Sequence, residues 1–142
     1  MDYIHFVNIT SNVKGQLAVS KAEIRAFELG YIPSRPLYDA RYDLIIDDTK
    51  TLQRIQVKYA NGIPKNSSGV VIVKLDYEDR QKKAHTYQKE EVDALVVYIP
   101  KIDKLCYFPP NLFLGKRKLS VRFKRAKTNH VKRIVLAKDY YW

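Results

Sequence analysis

Residues 41–60, "RYDLIIDDTKTLQRIQVKYA", decide how this chain folds. Two runs rich in branched aliphatics, "DLII" and "RIQV", flank the turn formers "DDTK", so the stretch reads as two strands joined by a tight turn. Side chains at i and i+2 share one face of a strand. Gln56 and Lys58 therefore project together, while Ile55 and Val57 point the other way. With Asp43 on the neighbouring strand, one face of an apolar hairpin gathers a carboxylate, an amide and an ammonium.

Spacing alone does not distinguish a strand with one wet face from the floor of a metal site. An acid or amide two residues before a lysine also occurs at Asp48/Lys50 and Gln81/Lys83, but the first lies in the turn and the second in a charged loop. Only Gln56/Lys58 sits on a rigid strand with an aspartate before it. A carboxylate and an amide oxygen are hard ligands that suit Mg²⁺, which keeps several waters and completes its shell from substrate phosphates. A lysine beside them can position or deprotonate a water, as metal-assisted phosphodiester hydrolysis requires.

Upstream of the hairpin, Ser11 or Asn12 can cap a helix starting near Val13. Val13, Leu17, Ile24 and Phe27 recur at helical spacing up to Gly30, a helix stop. "YIPSRPLYD" carries two prolines and reads as extended chain. Downstream, "VVIVKL" and "VDALVVYI" read as strands, with "LCYF" pairing back on the latter through "KIDK". "DYEDRQKKAHTYQKEE" reads as an exposed charged loop, "NLF" as a turn of helix, and "LSVRF" and "RIVLA" as further strands. The order predicts an α+β domain, a sheet with the N-terminal helix packed on one face and a basic, β-rich C-terminal region.

The 142 residues suit one domain with its own core, and no repeat, linker or low-complexity tract divides them. Cys106 is the only cysteine, in the apolar run "LCYF", and reads as a core thiol. With His5, His85 and His130 scattered, a zinc cluster is not expected. No leader and no apolar run long enough for a bilayer is evident, so a soluble cytoplasmic protein without a membrane partner is expected. The formal charge of +11 is uneven. Residues 1–103 hold 15 Lys and Arg against 14 Asp and Glu, whereas residues 104–142 hold 11 against 1. A basic block of this kind is the footprint of a polyanion binder.

At this point the residues resemble a known family. "VKGQLAVSKAEIRAFELGYIPSRPLYDARYDLIID", "RIQVKYA", "EEVDALVVYIPKIDKLCYFPP" and "LSVRF…VKRIVLAKDYYW" together resemble PD-(D/E)XK nucleases, and more closely the group I intron homing endonuclease branch, over Val13 to Tyr141. The resemblance implies a restriction-endonuclease-like fold with a central mixed sheet flanked by helices. It further implies Mg²⁺-dependent cleavage of double-stranded DNA, with Mn²⁺ tolerated, and assembly as a homo-oligomer, a dimer or a tetramer, with no other protein partner.

Position by position, Asp43 would be the metal-binding aspartate, Gln56 would fill the (D/E) slot and Lys58 would be the motif lysine, with the Val57 carbonyl as a further metal ligand. Tyr42 stands where the motif has proline. Gln56 keeps an oxygen ligand but gives up a charge, which should lower metal affinity while preserving geometry. Related nucleases often carry a glutamate four residues after the helix glycine, a position held here by Val19. Glu23, one turn further on, either reaches the metal or pairs with a nearby lysine. For DNA contacts the resemblance and the charges nominate Lys65, Asn66, Ser67, Lys74, Arg80, Lys82 and Lys83, and in the basic block Lys116, Arg117, Lys118 and Arg122. Two other readings stay open: a Holliday-junction resolvase, and a DNA-binding module with a decayed site.

Overall fold

The computed structural model describes residues 10–63, 68–125 and 134–142. The hairpin of residues 41–60 is present as β2 (Leu44–Asp47) and β3 (Leu52–Tyr59), antiparallel, with Leu44 opposite Ile55 and Asp47 opposite Leu52. Asp48 builds the turn: its carboxylate accepts the backbone N–H groups of Lys50 and Thr51 at 2.9 and 2.8 Å. β1 (Ile32–Ser34) extends the sheet on one side, antiparallel to β2. On the other side β3 pairs in parallel with β7 (Ala94–Ile99), which pairs antiparallel with β8 (Lys104–Phe108). The result is a five-stranded mixed sheet in the order β1-β2-β3-β7-β8. β7 is buried at every residue, as its unbroken apolar run requires.

A reciprocal clip sets the start of the parallel pair. The Asp93 carboxylate accepts the Arg54 backbone N–H at 2.8 Å and the guanidinium at 3.0 and 3.1 Å, while the Asp93 N–H donates to the Arg54 carbonyl at 2.8 Å. Arg54 also donates to the Glu90 carbonyl.

Helix α1 (Ser11–Glu28) packs on one face of this sheet. Its cap is Thr10, one residue before the expected Ser11 or Asn12; the hydroxyl accepts the Val13 N–H at 3.3 Å. The C-terminus closes as foreseen. Gly30 takes φ +78°, its N–H bonds the Phe27 carbonyl, and the Tyr31 N–H bonds that of Ala26. The buried side of the helix departs from expectation. Ala18, Val19, Ala22 and Ala26 face the sheet, whereas Val13, Ile24 and Phe27 stand 53, 57 and 66% exposed. Small side chains let the helix backbone lie close over Leu44, Ile46, Ile55 and Val57, so the larger apolar residues are left on the outer side.

Among the described residues the opposite face is covered by β structure, in line with the β-rich C-terminal region expected. β4 (Val70–Lys74), β9 (Lys118–Arg122) and β10 (Val135–Leu136) form a separate three-stranded sheet, with β4 and β9 antiparallel and β9 and β10 parallel. Val71, Val73, Leu119 and Val121 of this layer share a core with Leu95, Val97, Cys106, Phe108 and Phe113. Cys106 is fully buried there, and burial pushes its thiol up to about 12. The one-turn helix α2 (Pro110–Phe113) and a 3₁₀ turn (Ala137–Tyr140) complete the described chain.

A further correction concerns "DYEDRQKKAHTYQKEE". It is not a plain loop but contains a hairpin of β5 (Asp76–Glu78) and β6 (Ala84–Thr86), followed by the buried Tyr87. Asp79 organises its turn, accepting the Gln81 and Lys83 N–H groups at 2.8 and 2.9 Å. Among the described residues no helix is long and apolar enough to cross a membrane.

Candidate active site

The β2–β3 pair splays at the start of β2, and the polar residues collect at that split. The Asp43 N–H bonds the Ile55 carbonyl at 2.8 Å, after which the chain turns enough for the Asp43 carboxylate to accept the Val57 N–H at 2.9 Å. Backbone groups of residues 55 and 57 therefore face the same edge. The Val57 carbonyl lies beyond the last β2 partner, on the side of Asp43. Asp43, Gln56, Val57 and Lys58 line one cleft of about 450 Å³, together with Tyr59, Asn61 and the first two turns of α1 from Ser11 to Val19.

Burial governs the electrostatics here. It pushes the Asp43 carboxyl above its ordinary range, opposed by the Val57 hydrogen bond and the nearby Lys58 and Arg35 charges. It also lowers the Lys58 ammonium, against the pull of Asp43 and Asp76. Lys58 Nζ lies over the Tyr87 ring at 5.3 Å, and burial with the neighbouring Asp43 charge pushes the Tyr87 hydroxyl up to about 12. Both charged groups of the site are thus short of compensation.

That shortage bears on whether a cation fits. Asp43 is a half-buried carboxylate that accepts the Val57 N–H, beside the Gln56 side chain and the Val57 backbone edge, which is a donor set of hard oxygens. Among the described residues no group of three His, Cys, Asp or Glu is arranged to hold a metal. The residues fit one hard divalent ion that retains water and borrows oxygens from a substrate, and they do not form a closed cage.

Glu23 does not line the cleft. Its two carboxylate oxygens take the Arg35 guanidinium at 2.6 and 3.1 Å, so the pairing partner is an arginine and not the anticipated lysine. Arg35 also donates to Gln16 Oε1 at 2.7 Å and to the Ser20 hydroxyl at 3.4 Å. Gln16, Ser20 and Glu23 form one stripe of α1 at i, i+4 and i+7, on which the arginine lies. Val19, at the position of the absent helix glutamate, is buried against the sheet. Gln16, Arg35, Asp76 and Tyr87 are the site neighbours that the sequence reading missed. Only the stripe spacing of Gln16, Ser20 and Glu23 was a signal, and it lacked a reason to bring Arg35 to it.

The positive end of α1 opens on the same cleft. No acidic residue occupies its first turn, and Lys14 lines the cleft with its Nζ over the Tyr59 ring at 5.9 Å. Of the nominated DNA contacts, Arg80, Lys82 and Lys83 are exposed at the β5–β6 turn, and Lys116 and Arg117 are exposed just before β9. Lys74 and Lys118 are cross-strand partners, both exposed. Like charges directly opposite one another cost stability unless an anion bridges them. Arg122 is half-buried, opposite Val70, and donates to the Lys124 carbonyl at 3.4 Å. Lys65, Asn66 and Ser67 lie outside the described residues.

A mixed sheet carrying an N-terminal helix, with an aspartate, a glutamine and a lysine at the split of two strands, defines a restriction-endonuclease-like domain. Residues 9–142 match the PD-(D/E)XK endonuclease family, and the chain belongs to it. Among solved structures it is similar to a bacterial homing endonuclease, I-Ssp6803I, with a TM-score of 0.75 and 23% identity over 93% of this chain and 88% of that one. It is also similar to Hjc, a Holliday junction resolvase from the archaeal hyperthermophile Archaeoglobus fulgidus, with a TM-score of 0.49 and 11% identity over 77% and 84%. No curated protein matches the sequence. Nucleases of this family generally work with divalent metal ions.

Proposed function

We infer that the chain is a Mg²⁺-dependent, site-specific endonuclease of the intron-homing type that hydrolyses phosphodiester bonds of duplex DNA. The observation that carries this reading is the Asp43 carboxylate held by the Val57 N–H in the cleft that Gln56 and Lys58 also line. Asp43, the Gln56 oxygen and the Val57 carbonyl would hold the ion, with Mn²⁺ an acceptable substitute. When bound, the ion draws charge from a phosphate oxygen and makes water a better nucleophile.

Lys58 orients the attacking water with its ammonium donors, and burial eases release of its proton. The Tyr87 ring beneath it fixes the long side chain. Duplex backbone would run over the exposed Lys74, Lys116, Arg117 and Lys118. The β5–β6 turn with Arg80, Lys82 and Lys83, and the segment of Lys65, Asn66 and Ser67, would contribute further DNA contacts.

Cutting both strands calls for at least two copies. The outer side of α1, with Val13, Ile24 and Phe27 exposed, supports self-association into a dimer or tetramer. The function is tested by incubating the purified chain with Mg²⁺ and a pool of random-sequence duplexes, then sequencing the new ends, with Asp43→Ala alongside. Ends at a recurring site, absent with Asp43→Ala, are the expected outcome. Cutting only of a four-way junction would make the protein a resolvase, and no cutting at all would leave a DNA-binding module.

A further inference from the structure

The first helix faces the cleft without the acid that could make it a metal-binding element, so the question is what it offers instead. Gln16 lies one turn before the buried Val19 and lines the cleft with Asp43 and Lys58. Its amide orientation is not free. Arg35 has only donors, so the group 2.7 Å from its Nη1 must be the oxygen of Gln16. Arg35 is itself held by both carboxylate oxygens of Glu23. With its oxygen turned to Arg35, the amide presents its other end, the NH₂, which among the described residues has no partner and which donates and cannot ligate a cation. Lys14 and the positive end of α1 add to the same bias.

Resting on the nuclease reading above, we propose that Gln16, clamped by Arg35 and Glu23, binds a phosphate oxygen of the DNA strand in the cleft through its amide NH₂, so that α1 reads the substrate backbone and not the metal. Gln16 touches substrate; Arg35 is a positioning residue that acts through it. The consequence is that loss of Gln16 is felt with or without metal, at one phosphate.

The probe is the duplex whose cleavage site emerges from the end-sequencing experiment, together with copies bearing a single uncharged methylphosphonate at each phosphate near that site. Affinities are measured in EDTA for wild type, Gln16→Ala and Arg35→Met, and Mn²⁺ binding is measured on the DNA-free proteins by calorimetry. Gln16→Ala should bind the intact duplex about tenfold more weakly in EDTA. It should also lose the wild type's sensitivity to methylphosphonate at one position, and keep wild-type Mn²⁺ affinity. Arg35→Met should reproduce part of both DNA effects.

An unchanged affinity in EDTA, a methylphosphonate profile identical to wild type, or a drop in Mn²⁺ affinity would overturn the assignment. A wild-type chain that cuts the duplex while Gln16→Ala binds it normally refutes only this role. A wild-type chain that cuts nothing refutes the nuclease reading and this role with it.

Discussion

At the residue scale, Asp43 and Gln56, the proposed metal ligands, would divide the work of attracting a cation unequally. Asp43 is the carboxylate of the set, so Asp43→Ala should remove cleavage below detection while leaving DNA affinity in EDTA within about twofold, read by single-turnover cleavage and by binding. Gln56→Glu restores a second negative charge. It should lower the Mg²⁺ concentration for half-maximal cleavage with equal or greater maximal rate, whereas Lys58→Ala should lose about 10²–10³-fold in rate. A Gln56→Glu protein needing more Mg²⁺ would place Gln56 outside the metal's reach. That Asp43, Gln56 and Lys58 gather in one cleft was legible in the sequence because strand alternation is a local rule: i and i+2 share a face whatever surrounds them. The Gln16–Arg35–Glu23 clamp was not, since Arg35 reaches the helix through the path the chain takes on leaving β1.

At the scale of elements, α1 shows the same division between local and tertiary control. Its C-terminus was readable from Gly30 and its N-terminus to within a residue from the cap expected at Ser11 or Asn12, but its buried face was not. Periodicity of large apolar residues picked Val13, Leu17, Ile24 and Phe27, of which Leu17 alone packs on the core, whereas close approach to the sheet selects alanines. Ala22→Leu should therefore cost about 1–3 kcal/mol in urea denaturation by forcing helix and sheet apart. Phe27→Ser should leave that stability within about 0.5 kcal/mol and instead weaken self-association in sedimentation.

The Arg54–Asp93 clip that registers β3 on β7 adds a pH signature. Arg54 holds the Asp93 carboxyl below its ordinary range, so the native state favours the ionised form. The stabilisation is complete above the ordinary aspartate value of about 3.9 and fades as pH falls through the lower folded value. Both side chains are about a third exposed. The Asp93→Asn penalty at neutral pH should thus be no more than about 1 kcal/mol, and wild type and variant should converge in acid. The β5–β6 hairpin escaped the sequence reading because its strands are only three residues long, too short to show an alternation. The Asp79 turn holds it, with Tyr77 stacked on His85 at 5.4 Å.

At the scale of the whole molecule, the charge excess of residues 104–142 meets β4 through β9, which places Lys74 opposite Lys118. Replacing both by glutamine should weaken duplex binding, reduce the slope of log K against log[salt] by about 2, and slightly stabilise the DNA-free protein by removing their repulsion. An unchanged slope would move the phosphate path off this surface. Fold class and basic character were both legible from residue order and composition. The division between the five-stranded and three-stranded sheets was not, because β4 and β9 read as strands equally well in either one.

The parallel pairing of β3 with β7 also has a meaning in time. Asp43, Gln56 and Lys58 are brought together by a short hairpin, available as soon as residue 60 has left the ribosome. The second edge of β3 waits for β7, which ends at Ile99. Throughout that interval of synthesis the strand bearing the proposed catalytic groups presents an unpaired, apolar edge. The hydrophobic alternation that builds the site is therefore also the part of the nascent chain most exposed to mispairing with another copy.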